Sequence, residues 1–156
     1  MNLLEHAEYL QSGVSILVGT RSDRLLPDCC RAVGARVEDD GEELTVFLPA
    51  ATGEGNVENV KSNGRIAVCF SRARDHRSLQ LKGQVVSIRE GGEDDRRIVQ
   101  RYRAALAEAF GFIGIPPRLT LRMNCWPCYA VRLHVDGIFL QTPGPGAGAA
   151  LGGASR

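Results

Sequence analysis

SNGRIAVCFSRARDHRSLQLKGQVVSI, residues 62–88, reads as two strands joined by a strongly basic loop. Asn63-Gly64 is a turn pair, and Arg65 to Phe70 behind it is a short, mostly apolar run, the pattern of a strand buried on both faces. From Leu79 to Val85 apolar and polar residues alternate, with Leu79, Leu81 and Val85 on one side and Gln80, Lys82 and Gln84 on the other. After Val85 the apolar parity moves to Val86 and Ile88. A parity change beside Gly83 predicts a bulge or sharp bend. Bends of this kind let a sheet close on itself, so the expected fold is mainly β, an antiparallel barrel of six or seven strands with a few flanking helices. The connecting loop carries Arg72, Arg74, His76 and Arg77, and that grouping suits a phosphate or carboxylate.

With 156 residues the chain is long enough for one domain with a real core. Nineteen Lys plus Arg against 18 Asp plus Glu, and 6% aromatic residues, argue against a surface built for nucleic acid. The sequence has no apolar run of about 18 residues, so no membrane span is expected. MNLLEHAEYLQSG lacks the basic and apolar regions of a secretory signal, and the five cysteines are an odd number. Both features predict a cytoplasmic protein with reduced thiols.

Leu3, Leu4, Ala7 and Leu10 share one face of a short helix that Ser12-Gly13 ends. Strands are expected over Val14 to Gly19, Cys30 to Val37 and Leu44 to Leu48, with a turn at Asp39-Asp40-Gly41. Gly53 to Lys61 reads as a brief helix. Glu93 to Phe112 reads as the main one, acidic in its first turn and apolar on one face. Tyr129 to Val135 and Ile138 to Gln141 flank Asp136-Gly137, the signature of a hairpin. The barrel domain is expected over residues 1–141, with 142–156 a loosely held Gly-, Pro- and Ala-rich tail.

Three blocks, Ser15 to Val37, TVFLP at Thr45 to Pro49 and Asn59 to Val85, in this order with a helix before the last strands, resemble the pyridoxamine 5'-phosphate oxidase-like family. The resemblance implies a split barrel, a homodimer, and flavin mononucleotide (FMN) held at the subunit interface to serve a small-molecule oxidoreductase. It places the phosphate-binding arginine at Arg31, in Arg31-Ala32-Val33, and a second basic strand residue at Arg36. Arg31 and Arg36 can serve one site if Gly34 allows a bulge between them. The family's Arg-Lys pair before the short helix is replaced by Gly55-Asn56, a departure that Arg72, Arg74 or Arg77 would offset. Ser78, Gln80 and Lys82 fall where the family contacts the flavin ring. The substrate-recognition segment of true pyridoxamine phosphate oxidases, with its Trp and paired arginines, has no counterpart in the glycine-rich end. The rival expectation is a non-catalytic barrel that binds or senses haem, a deazaflavin or another anionic ligand.

Other motifs carry less. Cys125-Trp126-Pro127-Cys128 has the spacing of a redox pair or half a zinc site, but it leads into a strand rather than a helix, and no second pair of ligands matches it. No metal is expected. Cys29 and Cys30 must point to opposite faces of a strand, and His134 alternates with Leu133 and Val135 as a strand-surface residue. No nucleophile or general base emerges, so the sequence leaves open whether the barrel is an enzyme.

Overall fold

A computed structural model describes residues 2–153. Its framework is an antiparallel sheet of β1 (Ser15–Arg21), β2 (Pro27–Arg31), β3 (Ala35–Val37), β4 (Glu43–Pro49), β5 (Arg65–Ser71), β6 (Ser78–Glu90), β7 (Cys128–Leu140) and β8 (Ala150–Gly153). The spatial order is β2-β1-β5-β6-β7-β4-β3, with β8 added along β7. Helices α1 (Ala7–Leu10), α2 (Ala50–Asn63), α3 (Glu93–Gly111) and α4 (Pro117–Thr120) fill the connections, and a 3-10 turn over Leu3–His6 leads into α1.

β2 and β3 stand at opposite ends of that order, yet they are consecutive in the chain. Between them the Ala32 N–H donates to the Ile16 carbonyl of β1 at 3.0 Å, and the Val33 N–H donates to the Phe47 carbonyl of β4 at 2.8 Å. One bent strand thus bridges both edges of the sheet and closes it into a barrel. Gly34 makes the bend with a φ of +151°, which L side chains rarely adopt. The second bend falls at Gly83, where the pairing of β6 with β7 slips. A Cβ on Gly83 would collide with the His134 carbonyl, so glycine there lets the two longest strands approach closely.

Inside the barrel, Ile16, Val18, Val46, Val68, Phe70 and Leu81 are sealed from water. A second apolar cluster lies outside, where Val99 of α3 covers Val33, Phe47, Cys128 and Ala130 of the β3-β4-β7 half. Tyr102 of α3 donates its hydroxyl to the Val14 carbonyl at 2.7 Å, which fixes the helix to the start of β1. The outer face of β2-β1-β5-β6 stays open, with Leu17 43% exposed and Ala67, Cys69 and Gln80 half-buried.

The closed barrel and the bend at Gly83 match the sequence reading, and four local expectations do not. Asp136-Gly137 forms no hairpin, because β7 runs through it with β4 paired as far as His134 and β6 paired along both halves. The slip beside Gly83 absorbs the irregularity that looked like a turn. Cys30 to Val37 is split by Gly34 into β2 and β3. β5 buries Ile66, Val68 and Phe70 on one face only, leaving Ala67, Cys69 and Ser71 half-covered in the single chain. Residues 150–153, read as loose tail, return as β8 against Gly137 to Phe139, where the sheet offers free backbone groups.

Candidate functional site

On the open face the register fixes which side chains are neighbours. β1 sets Leu17 opposite Arg31 of β2 and opposite Cys69 of β5, while Ser15 lies opposite Ser71. β5 in turn sets Ser71, Cys69 and Ala67 opposite Ser78, Gln80 and Lys82 of β6. Paired residues share a face, so Arg31, Ser15, Ser71, Ser78, Gln80 and Lys82 line one outer surface. Arg31 Nη1 donates to Ser15 Oγ at 2.7 Å, and the hydroxyls of Ser71 and Ser78 meet at 2.8 Å. A polar row therefore crosses from β2 to β6. Neighbouring strands lie about 4.8 Å apart, so Arg31 is about 10 Å, two strand steps, from Cys69, and the basic loop begins three residues further along β5. Beside the row, Gly19, Ala67 and Cys69 form a patch of small side chains with Leu17 at its edge.

The basic loop starts immediately after Ser71 and ends immediately before Ser78. It is tightly built. The Arg72 N–H donates to the Arg77 carbonyl and the His76 N–H to the Arg72 carbonyl, both at 2.9 Å. The Arg72 side chain forks onto Asp75, with Nε to Oδ1 at 2.9 Å and Nη2 to Oδ2 at 2.6 Å, and this pairing brings the Asp75 carboxyl down to about 2. Arg77 sits 5.0 Å from the centre of the Tyr9 ring and, among the described residues, makes no ion pair with a carboxylate. Tyr9 donates its hydroxyl to the Phe70 carbonyl at 3.1 Å. Burial pushes that phenol up to about 12 against the opposing pull of Arg72 and Arg77, so it remains a neutral donor. Arg74 projects from the loop, exposed.

The remaining expected contacts are spread along β6. Ser78 is buried and donates its hydroxyl to the His76 carbonyl at 2.8 Å. Gln80 Oε1 accepts from Gln141 Nε2 at 3.3 Å, and Lys82 Nζ lies 4.7 Å from the centre of the Phe139 ring. Seven of the eight expected positions, Arg31, Arg72, Arg74, Arg77, Ser78, Gln80 and Lys82, thus belong to one face and the loop at its end.

Arg36 does not join them. It lies on the β3-β4 half, where Nε and Nη2 donate to Glu38 Oε1 at 3.2 and 3.1 Å and Nη1 lies 3.8 Å from Asp95 Oδ1. The bend at Gly34 separates Arg36 from Arg31 instead of uniting them, since it carries the strand from the β1 edge to the β4 edge. The expected pairing of Arg31 with Arg36 is corrected accordingly. Ser15 and Tyr9 escaped the sequence reading. The alternation of Ser15 with buried Ile16 and Val18 signals its outward position, whereas nothing local ties Tyr9 to a loop some 60 residues away.

The thiols divide by burial. Cys30 and Cys128 are buried, and desolvation pushes them up to about 12 and about 11, which leaves them protonated and unreactive near neutrality. Cys29 points the other way and is exposed, as alternation along β2 requires.

No family model matches the chain, and no curated protein matches its sequence. Solved structures do share its backbone course. HupZ of Group A Streptococcus aligns at 19% identity with a TM-score of 0.57, over 96% of this chain and 99% of that one. A structure described as F420 reductase aligns at 15% identity with a TM-score of 0.57, over 84% and 93% of the two chains. An FMN-binding protein from Syntrophomonas wolfei subsp. wolfei aligns at 11% identity with a TM-score of 0.56, over 99% and 88%. The chain shares the split-barrel fold of these structures. At these identities the likeness speaks for the fold. No helix among the described residues is long and apolar enough to cross a membrane.

Proposed function

We propose that the open face of β2, β1, β5 and β6 holds a flavin-type cofactor, FMN in the first instance, and that the protein is a flavoprotein oxidoreductase acting on a small molecule. The observation that carries this reading is the arrangement of Arg31 and the Arg72 to Arg77 loop along the same strand-end edge of one outer face, next to the small side chains of Gly19, Ala67 and Cys69. Arg31 is half-buried and, among the described residues, paired with a hydroxyl rather than a carboxylate, so its charge suits a phosphate. Arg77 and Arg74 would complete the cradle, while Arg72, already forked onto Asp75, shapes the loop. Gly19, Ala67 and Cys69 leave room for a flat ring against the sheet, with Gln80 and Lys82 at its edge. Ser78, with both its hydroxyl contacts made within the protein, braces the loop from beneath. When bound, the flavin supplies the electron or hydride transfer, and the protein supplies position and charge.

Two further elements belong to the proposal. β5 has the composition of a strand buried on both faces while its outer side is half-open, which suits a homodimer whose second copy covers this surface together with the cofactor. A reducing, cytoplasmic setting suits the five free thiols. The likeness to F420 reductase favours a deazaflavin as the second reading, since the same cationic end would take its phosphate. The test is titration of purified protein with FMN. Saturable quenching of flavin fluorescence is expected. Protein that is colourless as purified and leaves the fluorescence unchanged, or that carries the spectrum of a haem, overturns the proposal.

A further inference from the structure

The corner between α3 and α4 encloses a narrow cavity whose lining includes Val33, Leu106, Met123, Arg103, Thr120 and Cys125. Most of the lining is apolar and none of it is a carboxylate. Two buried polar atoms on this lining, Arg103 Nε and Thr120 Oγ1, have no hydrogen-bond partner. Thr120 is 3% exposed, so its hydroxyl is withdrawn from water as well as from the protein. The guanidinium of Arg103 makes one weak contact, Nη1 to Cys125 Sγ at 3.8 Å, and forms no ion pair among the described residues. A buried cationic N–H and a buried hydroxyl are both costly when unpaired, and one anionic oxygen can accept from the two together. α3 and α4 supply one donor each, so the pairing depends on how the corner is folded.

The outer surface of the same corner is apolar. Phe112 and Ile113 leave the end of α3 at 79% and 49% exposure, and Leu119 and Leu121, on either side of Thr120, are 51% and 42% exposed. A Cβ built on Gly111 would lie 3.9 Å from Pro117, so the end of α3 and the start of α4 are neighbours at this corner. The interior takes about one water-sized group, so a carboxylate oxygen can enter it while the alkyl chain stays outside. We propose that this corner binds a straight-chain fatty acid, its carboxylate accepting from Arg103 and Thr120 in the cavity and its alkyl chain lying on Phe112, Ile113, Leu119 and Leu121. The site shares no residue with the proposed flavin face.

Calorimetric titration of the whole protein with sodium octanoate tests it, with n-octanol and the variants Arg103→Gln and Thr120→Val as comparisons. Saturable one-to-one binding is expected, weakened at least about tenfold in each variant and for octanol, because each change removes a donor or the charged acceptor. Thr120→Val keeps the side-chain volume, so it reports even if Arg103→Gln fails to fold, and thermal unfolding of each variant without octanoate checks this. FMN titration of the same variants should be unchanged. Absence of saturable octanoate binding, equal binding by the variants, or octanol binding as tightly as octanoate overturns the proposal.

Discussion

At Asp95 one carboxylate, 3% exposed, gathers Arg89, which approaches with both terminal nitrogens, the Gly92 N–H at 2.8 Å, and Arg36 at 3.8 Å. It closes the first turn of α3 and ties that turn to β6 and β3. The hydrogen bonds from Arg89 and Gly92 and the nearby guanidinium charges hold the carboxyl below its ordinary range, against the opposing effect of burial. Because the folded state titrates below the unfolded value of about 3.9, the stabilisation is complete above that pH and is lost as the pH falls toward the folded value. Asp95→Asn should cost about 1.5–3 kcal/mol in urea unfolding at pH 7, and the gap between variant and parent should shrink as acid protonates Asp95 in the parent. The same residue helps to hold Arg36 on the β3-β4 half, apart from Arg31. Arg31 and Arg36 both lie in apolar stretches, but Arg36 has Glu38 two residues along to donate to, and folding adds Asp95 from 59 positions away. Arg31 was placed by the resemblance of Arg31-Ala32-Val33, whereas its neighbour Ser15 is set by register alone.

Strands β6 and β7 pair over nearly their whole length, and the glycine at the slip is what their crossing requires. Gly83→Ala should destabilise the fold by about 2–3 kcal/mol, read from denaturant midpoints, since the new Cβ meets backbone rather than a movable side chain. This bend was legible from the parity of apolar residues on β6. The continuous course of β7 was not, because Asp136-Gly137 carries the local chemistry of a turn while its partners on either side hold it extended. Local chemistry also concealed α4 and β8. Four residues after a proline pair and a glycine-rich stretch have little intrinsic preference, and each is held by the element it rests on, α3 in one case and β7 in the other.

For the molecule as a whole, closure of the barrel leaves one outer half covered by α3 and the other bare. The helix was implied by the sequence and the bare face was not, since β5 reads as a strand buried on both faces; their assignment to opposite halves follows from the bend at Gly34. In the proposed assembly a second copy covers the bare half. Light scattering should then return about twice the monomer mass, and Leu17→Glu, which places a charge at the centre of that face, should return the monomer. A monomer in the parent protein would oppose the dimer.

The bare face, and not the β3-β4 half, is where a phosphate-bearing flavin is proposed to sit. Fluorescence titration of FMN with Arg31→Gln, Arg36→Gln and Gly19→Leu, each set beside the parent, tests this placement most directly. A Cβ at Gly19 meets nothing within 4 Å, so bulk there should leave the fold intact and cover the patch where the ring would lie. Affinity should weaken at least about tenfold in Arg31→Gln and in Gly19→Leu and stay unchanged in Arg36→Gln. Parent-like binding by the Arg31 and Gly19 variants, or loss confined to Arg36→Gln, would contradict that placement.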